Sequence, residues 1–194
     1  MIKNKEDLKY FLTSDVKRHL GGAKPSMKDW LLKNEWWYIY HLLYHLRHVE
    51  YYTNCNGITI LNKLCYLYHF VLYKRLSFKL HIYIYPNTCG YGLKISHCGD
   101  FTHIAKGVTI GNNCEILPGV VFGKKNGPSV KTIVGDNCSF GLGARILGTV
   151  RIGNNVTIGA NAVITKDIPD NAVVGGVPAK IIRFKFREFG TPET

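Results

Sequence analysis

Long apolar runs are missing from this 194-residue chain. No stretch approaches the roughly 18 uninterrupted apolar residues that a membrane-crossing helix needs. CxxC spacing is also missing. The six cysteines, Cys55, Cys65, Cys89, Cys98, Cys114 and Cys138, therefore support neither a zinc ribbon nor a thioredoxin-like motif, and reduced thiols are expected. No metal site is expected. Acidic residues are few, 13 against 25 Lys and Arg, for a net charge of +12. The basic surplus is not concentrated in any run of about five residues, and no nucleic-acid motif is present. Spread charge of this kind suits a phosphorylated small molecule or a weak membrane-surface contact, and nucleic acid is not expected. The opening segment, MIKNKEDLKYFLTSDVKRHL, is too polar for a secretory signal, so the cytoplasm is the expected address. A content of 46% hydrophobic and 20% charged residues excludes a wholly disordered chain.

Glycine is scarce before residue 80 and tryptophan absent after it. Of 20 glycines, 17 follow residue 80, whereas all three Trp and 15 of 24 aromatics precede it. The first 80 residues predict an α-helical domain. Leu8, Phe11, Leu12, Val16 and Leu20 fall near a helical period over 5–20. The GGAKPS stretch, 21–26, breaks that helix. Ser26 is placed to cap the next one, with Asp29 as a capping-box acid. One helix is expected over about 27–52, a turn at 53–57 and a third helix over about 60–79.

From residue 81 the helical period gives way to a period of six. Ile104, Ile110, Ile116 and Phe122 form one set, and Val134, Phe140, Ile146, Ile152, Ile158 and Ile164 a second. Four residues after these stand small or β-branched residues: Val108, Cys114, Val120, Cys138, Ala144, Val150, Val156 and Ala162. Glycine or alanine often follows the large residue directly. Such a unit makes a short strand and a corner, and three units close a triangular coil of about 18 residues that buries its side chains against the coils above and below. Cys114 and Cys138 occupy the small inward slot. Gly-Asn-Asn recurs at 111–113 and 153–155, as a repeated corner demands.

This repeat resembles the left-handed parallel β-helix of the hexapeptide acyltransferases over residues 84–183, and GGVPAKII (175–182) and TKDIPDN (165–171) are further signatures. The organisation expected is an N-terminal α-helical domain over 1–80, a left-handed β-helix over 81–183 with a loop insertion at 123–132, and a short tail over 184–194. Within the superfamily the chain looks most similar to serine acetyltransferases and their polysaccharide-cluster relatives, which also place helices before the β-helix.

The resemblance implies an acetyl-CoA-dependent O-acetyltransferase, a homotrimer with its cofactor in the groove between neighbouring β-helices. GLKISH, 92–97, matches the active-site segment and makes His97 the implied general base. A neutral imidazole suits removal of a hydroxyl proton as oxygen attacks the thioester. His103, just before the first regular hexad, and Asp100 are alternative or auxiliary candidates. Ser96 and Tyr83 stand where serine acetyltransferases carry the aspartates that bind serine and orient the histidine, and Val130 and Lys131 stand where they carry Arg-His. Those departures shift the expected acceptor towards a sugar hydroxyl in surface or capsular polysaccharide biosynthesis, with peripheral contact to its membrane-bound machinery. Serine O-acetyl transfer for cysteine synthesis is the alternative. An N-acetyltransferase and a silent scaffold also stay open.

For the cofactor the resemblance carries over Leu142 and Ala160 along the pantetheine groove, Thr165 and Lys166 as a further contact, and Lys180 and Arg183 at the phosphates. Lys124, Lys125 and Lys131 of the insertion are candidate contacts to an anion. His41, His45 and His48 are read as the flank of an amphipathic helix. Trp30, Trp36 and Trp37 are read as core or interface aromatics.

Overall fold

The computed structural model describes residues 1–19, 22–55, 59–123 and 131–185. Four helices come first: α1 (Lys5–Arg18), α2 (Met27–Leu31), α3 (Glu35–Asn54) and α4 (Ile60–Leu80). The expected helix over 27–52 is two helices. Lys33 turns left-handed (φ 53°), and the Asn34 side chain accepts from the Trp36 N–H to start α3 afresh. The Ser26–Asp29 capping box forms as expected. Leu20 and Gly21 lie outside the described residues.

Three parallel sheets follow, wound into a left-handed β-helix. One sheet stacks β1 (Ile82–Ile84), β3 (Thr102–Ile104), β6 (Val121–Gly123), β9 (Arg145–Leu147) and β12 (Val163–Ile164). The second stacks β4 (Thr109–Ile110), β7 (Ile133–Val134) and β10 (Arg151–Ile152). The third stacks β2 (Lys94–Ile95), β5 (Glu115–Ile116), β8 (Ser139–Phe140), β11 (Thr157–Ile158) and β13 (Ala172–Gly175), and is closed by antiparallel β14 (Lys180–Phe184). Register steps such as Ile133↔Arg151 and Arg145↔Val163 are one 18-residue coil. Steps such as Glu115↔Ser139 span 24, so the inserted stretch adds six residues without changing phase.

Every large and small inward residue expected from the six-residue period is buried. Stacked apolar columns of this kind gain on the order of 25 cal/mol for each Å² removed from water. Phe122 and Phe140 meet edge-to-face with centroids 5.2 Å apart. Asn113, Asn137, Asn155, Asn161 and Asn171 occupy left-handed corners, with φ between 54° and 60°. Glycine follows the large residue because successive corners touch: a Cβ on Gly111 would lie 2.6 Å from the Gly135 carbonyl oxygen. Cys114 and Cys138 fill the small slot, each 1% exposed.

The edges of the insertion and tail differ from expectation. Gly123 belongs to β6, and Thr132 is buried with its hydroxyl donating to the Gly148 carbonyl at 2.8 Å. Residues 124–130, with Lys124, Lys125 and Val130, lie outside the described residues. Phe184 belongs to β14, and the Lys185 N–H donates to the Asn171 carbonyl.

The helices dock on the first coil through polar contacts that the apolar pattern does not show. Arg47 on α3 is fully buried and donates to the carbonyls of Cys89 and Gly90 at 2.9 and 2.6 Å. It also donates to Asp15 of α1 and Glu50 of α3. Burial opposes the guanidinium's charge, but the two carboxylates outweigh it and hold Arg47 above the ordinary arginine value. The Tyr73 hydroxyl on α4 donates to the Ile84 carbonyl and accepts from its N–H. The expected histidine flank is in fact packed: His45 is buried with Nδ1 2.8 Å from Nδ1 of His69, and His48 stacks on His69 at 4.3 Å. Trp36 is buried, Trp37 lies on His41, and Trp30 is exposed.

Candidate active site

The corner between β2 and β3 is wider than its counterpart one coil on. Ile95 and Ile104, successive inward residues, are nine apart, whereas Ile116 and Phe122 one coil on are six apart. Three extra residues push the chain outward there, and His97 sits on that bulge. Its side chain is 65% exposed, clear of the core column.

A cleft of about 610 Å³ opens beside it at the seam between the two parts of the chain. Glu35, Trp36 and His19 form one wall; Lys94, Ser96, His97 and Glu115 form the other. The Glu35 carboxylate Oε1 lies 2.6 Å from His97 Nδ1, and Oε2 accepts weakly from the Cys98 thiol at 3.8 Å. Ser96 Oγ donates to Glu115 Oε1 at 2.5 Å, and Lys94 Nζ lies 2.9 Å from the same oxygen. Burial works against the charge of the Glu115 carboxylate, yet the bonds from Ser96 and Lys94 hold it below the usual value. His19 stacks on Trp36 at 4.1 Å and is pushed down to about 4, first by burial and then by Lys94. It is therefore neutral near pH 7, and its Nε2 accepts from the Ile95 N–H at 3.4 Å.

The remaining candidates lie elsewhere. Tyr83 and His103 are register partners on β1 and β3, outside the His97 cleft. They line a separate aromatic cleft with Phe101, on which His103 stacks. Within one chain Tyr83 and His97 thus line different clefts, on different strands of the stack. Asp100 accepts from its neighbour's N–H at 2.7 Å and is a corner acid, bonded to neither histidine. Leu142 and Ala160 do come together at one corner of successive coils, joined through the Asn161 N–H to the Leu142 carbonyl at 2.7 Å, and both are exposed. Lys166, Lys180 and Arg183 are exposed and Thr165 half-buried, near the end of the stack. Lys131 is exposed at the edge of the insertion.

Sequence reasoning did not find Glu35, Glu115, Lys94 or His19. Glu115 had a signal, because the coil register sets it beside Lys94. Glu35 had none, since it stands on a helix outside the repeat.

Residues 131–166 match the family model of the bacterial transferase hexapeptide (six repeats). The serine acetyltransferase of Buchnera aphidicola subsp. Acyrthosiphon pisum is 30% identical over 185 residues, covering 92% of this chain and 63% of that protein. The Neisseria gonorrhoeae serine acetyltransferase structure, solved also in complex with serine, superposes with a TM-score of 0.68 at 26% identity, covering 94% of this chain and 69% of that one. A serine acetyltransferase structure in complex with CoA gives 0.67 at 25% identity, covering 92% and 71%. The chain carries the hexapeptide repeat and is similar to serine acetyltransferases. The likeness runs through the helices as well as the β-helix. The chain spans 44% and 63% of the length of two Buchnera relatives it matches.

Proposed function

We propose that the chain is an acetyl-CoA-dependent O-acetyltransferase acting on L-serine, with His97 as general base. One observation carries the acceptor: a cation and a carboxylate, Lys94 and Glu115, stand side by side in the cleft that holds His97. Free serine is a zwitterion. Its carboxylate suits Lys94, its ammonium suits Glu115, and its hydroxyl then faces the imidazole. The serine complex of the Neisseria neighbour supports this reading. The saccharide acceptor expected from Ser96 and Tyr83 loses its motive here. The carboxylates missing at those two positions are supplied by Glu115 and Glu35. Contact with polysaccharide machinery loses its motive with it.

In the reaction, His97 takes the serine hydroxyl proton as the oxygen attacks the thioester carbonyl, and the proton passes to the departing CoA thiolate. The thioester is already activated, so the protein supplies position and proton transfer. The relative solved with CoA supports acetyl-CoA as donor. Its pantetheine would run past exposed Leu142 and Ala160, with Thr165 and Lys166 beyond them and Lys180 and Arg183 offered to its phosphates. Such a groove needs a neighbouring stack, so the working unit is a homotrimer. The cytoplasm, where acetyl-CoA is available, is the working address; among the described residues no helix is long and apolar enough to cross a membrane.

The test is CoA release from acetyl-CoA with serine set against a panel of sugars and nucleotide sugars, for wild type and His97→Ala. Serine turnover lost in the variant is the expected result. Turnover with a sugar alone would return the acceptor to the saccharides, and equal turnover in the variant would remove His97 as base.

A further inference from the structure

The helical part of the chain supplies one half of a hydrogen-bonded pair at the base. Glu35 is the first residue of α3, fixed there by the Asn34 cap. Trp36 beside it is wedged under His19, and three turns on Arg47 ties the helix to the Cys89 and Gly90 carbonyls. These contacts fix where the helix starts and therefore where the Glu35 carboxylate reaches. It reaches His97 Nδ1 at 2.6 Å. Among the described residues, Glu35 is the side chain bonded to that ring.

The structure assigns Glu35 as the positioning residue for His97, an assignment that rests on His97 being the base. A carboxylate only accepts. Nδ1 must therefore carry the hydrogen, which leaves Nε2 of the neutral imidazole with its lone pair free to take a proton. Free imidazole side chains distribute between two tautomers, and only one of them presents an unprotonated Nε2. Glu35 selects that one and fixes the ring plane. The pair is partly exposed, Glu35 at 42% and His97 at 65%. Its Coulomb attraction is accordingly screened by water and salt, but the selection of tautomer follows from which atoms can donate. Among the described residues the other candidates are engaged elsewhere: Ser96 with Glu115, Asp100 with the Phe101 N–H, and Tyr83 in the aromatic cleft.

The experiment compares wild type, Glu35→Gln, Glu35→Asp and His97→Ala, with ¹⁵N-labelled histidine. The His97 ring signals are those missing from His97→Ala. At pH 8.5, where an ordinary imidazole is neutral, the wild type shows the Nδ1–H tautomer. In Glu35→Gln that population moves towards Nε2–H, because an amide both donates and accepts. With serine and acetyl-CoA, kcat of Glu35→Gln falls roughly tenfold or more, KM for acetyl-CoA stays put, and Glu35→Asp recovers part of the loss. An unchanged tautomer in Glu35→Gln overturns the assignment, whatever happens to kcat: a drop in rate alone would make Glu35 a tie between the two parts of the chain. An unchanged kcat in a wild type active with serine overturns it too. A wild type that fails to acetylate serine but shows the Glu35-dependent tautomer leaves the positioning intact and removes the serine reading.

Discussion

Arg47 forks both oxygens of the Asp15 carboxylate, Nε at 2.9 Å from Oδ2 and Nη2 at 3.4 Å from Oδ1, with both side chains out of water. Through this pair α1 and α3 are joined to each other, and through the Cys89 and Gly90 carbonyls both are joined to the first coil. Arg47→Ala strands two buried carboxylates, Asp15 and Glu50, and costs about 3–5 kcal/mol. Arg47→Lys restores the charge but not the fork and recovers only part. Urea unfolding followed by circular dichroism measures both, and an Arg47→Ala midpoint equal to wild type would remove the anchor.

Acid should loosen the fold as it charges the buried histidines. His19, His45 and His69 are each held at about 4, with burial the largest cause. Their ordinary value is about 6.5, so between those limits the unfolded chain binds more protons than the folded one. The stability contributed by neutral histidines is complete above about 6.5 and is lost as the pH falls towards 4. Melting temperatures at pH 7.5, 6.0 and 5.0 should fall in that order. A flat profile would mean that these rings are solvated in the folded state.

The coil stack was legible because one six-residue period fixes both the strand and the face, and a buried column tolerates few alternatives. Phe140, Ala144 and Ile146 could each be placed inward from spacing alone. The break at Lys33 and Asn34 was not legible, since Leu31 and Leu32 prolong the apolar pattern through it. The site was half legible. His97 could be placed by its motif and by the irregular corner. Glu35 is 62 residues earlier on a helix, and no periodicity relates the two; only the docking of α3 on the first coil brings them together.

The inward slots predict asymmetric tolerance. Phe140→Ala removes a fully buried ring and its partner for Phe122 and costs about 3–5 kcal/mol. Ala162→Leu, at a fully buried small slot, overpacks the column and costs about 1–3 kcal/mol. Chemical denaturation reads both. If Ala162→Leu were neutral, the small slot would be wider than the stacked coils allow.

The acceptor reading makes a prediction about KM. Lys94 and Glu115 satisfy each other at 2.9 Å, and Ser96 adds a third bond. A zwitterion entering there exchanges partners: its carboxylate takes the lysine and its ammonium takes the glutamate. Each charged hydrogen bond is worth about 1.5–3 kcal/mol when its loss leaves the other group unpaired. Glu115→Gln and Lys94→Met should therefore each raise KM for serine by about tenfold or more. KM for acetyl-CoA should be unchanged, because the groove proposed for it past Leu142 and Ala160 lies on other coils. Glu115→Gln should be the more specific of the two, since it keeps shape and the bond from Ser96 while removing only the charge that an ammonium needs. An acceptor without an ammonium group would not register that change. Steady-state kinetics with serine, and with the same molecule lacking its amine, separate these outcomes. A Glu115→Gln enzyme whose serine KM matched wild type would take Glu115 out of acceptor binding.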